Sequence, residues 1–199
     1  LRQNQEMLTE SDELQPISLY SETKVNSEKI LLNELPELST AVLRASTAYG
    51  MAARIRFDLL LHQFIYEAWE KKQINLYGAN SWRPMVHVDD IARAIVSVLI
   101  QHDKMKKKDV FNVGSNDQNF QKINLAKMVS ERFGVEISQT KSQNDPRDYK
   151  VSFDKIKSEL DYYTIHKPQE SIEQIASALE SGLINNRVLH ESVNVKPEN

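Results

Sequence analysis

Short runs of apolar and β-branched residues alternate with stretches whose apolar residues recur at helical spacing, and this alternation restricts the fold more than any other feature of the chain. Ser39 to Ala48 reads as a buried strand closed by Tyr49-Gly50. Phe57, Leu60, Leu61, Phe64, Ile65, Ala68 and Trp69 form the strongest amphipathic stripe, which predicts a helix packed on a core. Ile74 to Tyr77 and Pro84 to Val88 read as strands, and Asp89 stands where it can cap a helix carrying Ile91, Ala92, Ile95, Val96, Val98 and Leu99. A strand at Val110 to Val113, a helix at Ile123 to Phe133 stopped by Gly134 and a strand at Val135 to Gln139 continue the pattern. A short strand around Val151, a helix from Asp154 and a last helix from Glu170 to Ser181 complete it. Strands separated by helices predict an α/β fold with parallel strands, because each crossover returns the chain in its original direction.

Near the beginning, Pro16 and Ser18 introduce a helix-favouring stretch from Leu19 to Glu34, with Ser18 as its N-cap and Pro36 beyond its end. Leu1 to Asp12 is polar and has no strand of its own, and a polar tail follows Asn185. With 199 residues, 40% of them hydrophobic, the chain can bury a sizeable core. A net charge of −3 leaves no cationic field to draw nucleic acid or an anionic membrane, and Lys104 to Lys108 reads as a solvated turn. No apolar run approaches the roughly 20 residues that span a bilayer. The absence of cysteine excludes disulfides, thiol catalysis and cysteine zinc sites from these residues and suits a reducing, cytoplasmic setting.

Tyr20 and Lys24 stand four residues apart and therefore on one face of the first helix. A phenol ionises too reluctantly to act as an acid/base at neutral pH, and a cation beside it favours the phenolate. On spacing alone, an ordinary helix-surface pair is the competing reading. Tyr163 and Lys167 repeat the spacing, but Pro168 pushes Lys167 out of helical geometry, so that pair reads as a loop. His62 has no second ligand at a metal-site spacing, so it reads as structural and no metal is expected, while His87, in a predicted strand beside a helix start, reads as a hydrogen-bonded packing residue rather than a general base. The five glycines lie too far apart to form the clustered turn that cradles a pyrophosphate.

Several ordered segments go beyond spacing. Leu8-Thr9-Glu10, Pro16 to Lys24, Val42-Leu43-Arg44, Tyr49-Gly50, Trp82 to Ala92 and Phe111-Asn112-Val113-Gly114 together resemble the extended short-chain dehydrogenase/reductases, the NAD-dependent epimerase/dehydratase family. Arg54 to Asp58 and Asp145 to Val151 resemble one of its subgroups. The resemblance runs from about Leu8 to Gly182 and implies a distal part of a Rossmann-like parallel sheet plus a smaller α/β substrate-binding lobe.

Position by position, the resemblance implies Tyr20 as catalytic acid/base at the sugar and Lys24 as its catalytic partner, both also contacting NAD, with NADP left open. It implies Arg83 and Arg147 at the diphosphate of a nucleotide-diphosphate sugar, a task suited to a forked donor. Thr47 stands where many relatives carry Asn, so it enters as a candidate substrate contact. The family's catalytic Ser or Thr and its Gly-rich turn have no counterpart here and are expected upstream of Leu1.

The expected division is 1–50 in the cofactor domain, 51–82 in the substrate lobe, 83–104 returning to the cofactor domain, 105–184 in the lobe and 185–199 as tail. Epimerisation is the first expectation, reduction or dehydration the alternatives, and a non-catalytic remnant that binds or dimerises a further one. A homodimer through the first helix and the Phe57 to Trp69 helix is also implied. The 199 residues alone are expected to bind nicotinamide weakly or not at all; micromolar binding in an NADH fluorescence titration would contradict that.

Overall fold

The computed structural model describes residues 6–140, 145 and 147–184, so the tail read from Asn185 lies outside the described residues. Helix α1 (Leu19–Lys29) starts as its sequence requires. The Ser18 hydroxyl accepts the Ser21 amide, and Ser21 Oγ accepts the Ser18 amide, which satisfies donors that a helix start leaves unpaired. The chain then widens into a single π turn at Ile30–Glu34. Lys108 Nζ donates to the carbonyls of Leu31 and Leu35 at 2.6 Å each, placing a cation at the negative end of the helix.

The stretch read as one strand is two strands serving different sheets. β1 (Thr40–Ala45) runs parallel to β5 (Lys108–Val113), while β2 (Thr47–Tyr49) runs parallel to β4 (Trp82–His87). Ser46 is the change-over: its amide still donates to the Val113 carbonyl at 3.1 Å, and the next residues bond to β4. β3 (Gln73–Leu76) pairs in parallel with β7 (Glu136–Gln139), and β6 (Asn119–Gln121) adds antiparallel to β4. β6 has no apolar alternation to announce it. The region around Val151 forms a single parallel bridge to Leu8 instead of a strand.

The helices are α2 (Leu60–Lys71), α3 (Val88–Ile100), α4 (Lys122–Phe133), α5 (Asp154–Leu160) and α6 (Pro168–Glu180). α3 is capped by His87 rather than Asp89. β4 stays extended through His87, whose Nδ1 accepts the Asp89 amide at 3.1 Å, so Asp89 already lies within the first helical turn.

Two apolar clusters form the core. One joins α2, α4 and α6 around Phe64, Ile65, Leu125 and Ile175; the other joins β5, α3 and α5 around Phe111, Val113 and Ile156. β4 lies between them, with Met85 in the first and Val86 in the second, because successive strand residues face opposite sides. β5 and α5, grouped by sequence with the smaller lobe, share the second cluster and stand with β1. Their apolar faces find their partner there rather than on α2.

No residue of α1 is buried, so the helix relies on polar anchorage. Arg44 of β1 donates to both carboxylate oxygens of Glu28, at 3.0 and 2.5 Å, and to the Glu10 carbonyl at 3.1 Å. Arg44→Met is expected to cost about 1–3 kcal/mol, the range for losing a charged hydrogen-bond partner. Amide exchange should accelerate in α1 more than in β5; unchanged protection of α1 would show that another contact anchors it.

Candidate active site

Tyr20 and Lys24 emerge from α1 on the same side, with Lys24 Nζ 5.6 Å from the centre of the Tyr20 ring, within cation–π range. The phenol is open to solvent, 72% exposed, and Lys24 is exposed beside it. Arg56, which sequence spacing did not associate with this helix, lies within electrostatic range of Tyr20. The Arg56 guanidinium is held above its ordinary value chiefly by its hydrogen bonds to Asp58.

A second group centres on Asp145. Arg83, almost fully buried on β4, donates to Asp145 Oδ2 at 2.6 Å and to the Trp82 carbonyl at 3.1 Å. The Arg147 amide donates to Asp145 Oδ1 at 3.0 Å, with Arg147 Nε 3.5 Å from the same oxygen. Lys122, at the start of α4, brings Nζ to 3.3 Å from Asp145 Oδ2 and 3.4 Å from the centre of the Tyr77 ring. Burial pushes the Asp145 carboxyl up, but the Arg147 amide and the Arg83 guanidinium outweigh it and hold the group at about 2. Burial draws the Lys122 ammonium down, and Asp145 opposes that shift.

The structure thus brings Arg83 and Arg147 to one carboxylate. Among the described residues no hydrogen bond or ion pair links that group to Tyr20 and Lys24. Lys122 escaped the sequence reading because a helix-start lysine ordinarily points to water. Thr47, half-buried on β2, stands opposite Met85, two residues along β4 from Arg83, and forms no side-chain hydrogen bond among the described residues. An apolar groove of about 790 Å³ between β1 and α3 is lined by none of these side chains.

The histidines take distinct places. His62 Nε2 accepts the Gly50 amide at 3.0 Å, leaving Nδ1–H to donate to the Arg56 carbonyl at 3.0 Å. His87 is buried, and its ring stacks on His166 with centres 4.1 Å apart and planes 28° from parallel. Asp89 completes a group of three potential ligand atoms within 4.8 Å of one another, a convergence that linear spacing concealed. Nearly parallel rings direct their in-plane lone pairs side by side rather than towards one point. His87 Nδ1 is moreover engaged as the cap of α3.

The family model described as the NAD dependent epimerase/dehydratase family matches residues 2–114. Among solved structures, the chain is similar to dTDP-glucose 4,6-dehydratase from Bacillus anthracis in complex with NAD, with a TM-score of 0.76 and 23% identity over 92% of this chain and 59% of that one. UDP-glucuronic acid 4-epimerase from Bacillus cereus, in complex with UDP-glucuronic acid and NAD, gives 0.74 and 21% identity over 89% and 57%. MoeE5 in complex with UDP-glucose and NAD gives 0.75 and 22% over 90% and 61%. At these identities the likeness is one of fold, and the chain spans about three fifths of the length of these solved relatives.

His62 and His87 are both held below the ordinary imidazole value, His62 by burial and His87 by burial and then by His166. The unfolded chain takes up these protons below about pH 6.5, whereas the folded chain resists them. Their contribution to stability is therefore full above that pH and is lost progressively as pH falls from there through the lower values of the folded state. The melting temperature is expected to drop between about pH 7 and 5.5, and His62→Gln, which keeps an acceptor for Gly50, should flatten part of the slope. A melting temperature constant across that window would refute the assignment.

Proposed function

The chain belongs to the NAD dependent epimerase/dehydratase family, and from that membership we propose that it carries the acid/base and substrate-holding residues of an NAD(P)-dependent nucleotide-sugar epimerase. The observation that carries this reading is the placement of Tyr20 and Lys24 on one solvent-open face of α1. Both heads can meet a ribose and a sugar hydroxyl without displacing any packed side chain, so they fit the nicotinamide end of the cofactor. NAD, when bound, supplies the acceptor and donor of hydride.

Tyr20 Oη removes the proton of the sugar hydroxyl as its carbon becomes a ketone, and returns it when the ketone is reduced on the opposite face. Lys24, its ammonium 5.6 Å from the centre of the Tyr20 ring, holds the nicotinamide ribose. Arg83 and Arg147 hold the diphosphate of a UDP-, dTDP- or GDP-sugar, with Thr47 as an adjacent contact. A planar fork suits phosphate oxygens, and the buried Asp145 limits the rotation of Arg83. The likeness to a dTDP-glucose 4,6-dehydratase supports a second reading, in which the ketone promotes loss of water instead. Exposed Leu19 of α1 and Ile30 and Leu31 of the π turn that follows it support pairing of two copies there.

In the native protein, Tyr20→Phe is expected to lower turnover by about 10²- to 10⁴-fold, the usual contribution of a positioned acid/base. NAD affinity should stay within about twofold, since the ring and Lys24 remain. A panel of UDP-, dTDP- and GDP-sugars, followed by product analysis, identifies the substrate and separates epimer from dehydrated product. Undiminished turnover of the variant would reject Tyr20 as the proton carrier.

A further inference from the structure

Lys122 is the most completely buried cation among the described residues, 1% exposed, and nothing in the proton-transfer chemistry uses it. It reaches its place because β6 pairs with β4, Arg83 opposite Phe120 and Trp82 opposite Gln121, which sets the first residue of α4 beside the Arg83 side chain. The Lys122 amide donates to the Ser81 carbonyl at 3.0 Å, fixing the backbone beneath the ammonium. Nζ then lies between the Tyr77 ring and Asp145 Oδ2, the same oxygen that accepts from Arg83. Three cations, Arg83, Lys122 and Arg147, thus share one carboxylate. An ion group serving packing alone gains by balancing its charges, since an uncompensated buried charge is costly. A surplus of positive charge around one fixed carboxylate suits a group that completes its balance with a bound anion.

Resting on the reading of Arg83 and Arg147 as diphosphate ligands, we propose that Lys122 is a positioning residue for the diphosphate subsite. Its ammonium locks the Asp145 carboxylate, and Asp145 in turn sets the direction of the Arg83 fork and of the Arg147 backbone. Lys122 itself touches no substrate, and the Tyr77 ring shields it from water on its other side.

The test uses the native protein, its Lys122→Met and Lys122→Arg variants, and Tyr77→Leu, which removes the ring but keeps the lysine. UDP and dTDP are titrated by calorimetry, and exchange of the Arg147 amide is followed without ligand. For Lys122→Met, nucleotide affinity is expected to fall by about 3- to 30-fold, the range for residues acting through another group. The best substrate's KM should rise alongside while kcat changes little, the Arg147 amide should exchange faster, and Lys122→Arg should recover much of the loss. Tyr77→Leu should move affinity the same way by a smaller factor, which keeps the proposal open to refutation if Lys122→Met does not fold. A lower melting temperature with unchanged affinity and unchanged Arg147 exchange would overturn it. If the native protein binds neither nucleotide yet the Arg147 amide still accelerates in Lys122→Met, the positioning role stands and the diphosphate reading falls.

Discussion

Successive side chains of β4 must leave the strand on opposite faces, and most of the structure hangs on that requirement. Met85 enters the cluster with α2, α4 and α6, while Val86 enters the cluster with α3, β5 and α5. One strand therefore joins two cores. Arg83 and His87 leave on the Met85 side, so the same alternation delivers an ion-pairing guanidinium at one end of the strand and a helix cap at the other. The close approach at that second end also explains Gly50. Its φ is +117°, and a Cβ there would stand 2.4 Å from His87 Nε2.

Residues 147–151 have little regular structure and are held by polar contacts to β4 and β6. Asp148 Oδ1 accepts the Trp82 amide at 2.7 Å, and Lys150 Nζ lies over the Trp82 ring, 5.1 Å from its centre. Asn119 brackets Val151, its amide nitrogen donating to the carbonyl and its oxygen accepting the N–H. Backbone groups that lack a sheet partner are satisfied by side chains, as burial demands. Arg147 can accordingly be both exposed and well placed: its backbone is fixed at Asp145 while its guanidinium remains half open to solvent.

Tyr20 and Lys24 occupy the opposite situation. Their helix buries nothing completely and is tied down by Arg44 and Lys108 from the sheet side. Anchorage from beneath leaves the outer face open to solvent. Such a helix owes its position to a few charged contacts instead of a buried apolar face.

Much of this was legible in the residues themselves. The periodicity of Phe57 to Trp69 specified α2, Ser18 specified the start of α1, and Gly134 the end of α4, because helical spacing, capping and positive φ are local properties. The Tyr20–Lys24 pair was legible for the same reason, as two residues one helical turn apart. The break at Ser46, the addition of β6 to β4, the convergence of Lys122 on Asp145 and the stacking of His87 on His166 were not. Each joins residues that lie far apart in the chain or changes a strand's partner, and no local propensity encodes which distant surface a strand or side chain will meet. Sequence determined the helices and the helix-borne pair, whereas tertiary packing decided where strands divide and which charges share a carboxylate, because desolvation makes pairing obligatory only after the chain has closed around them.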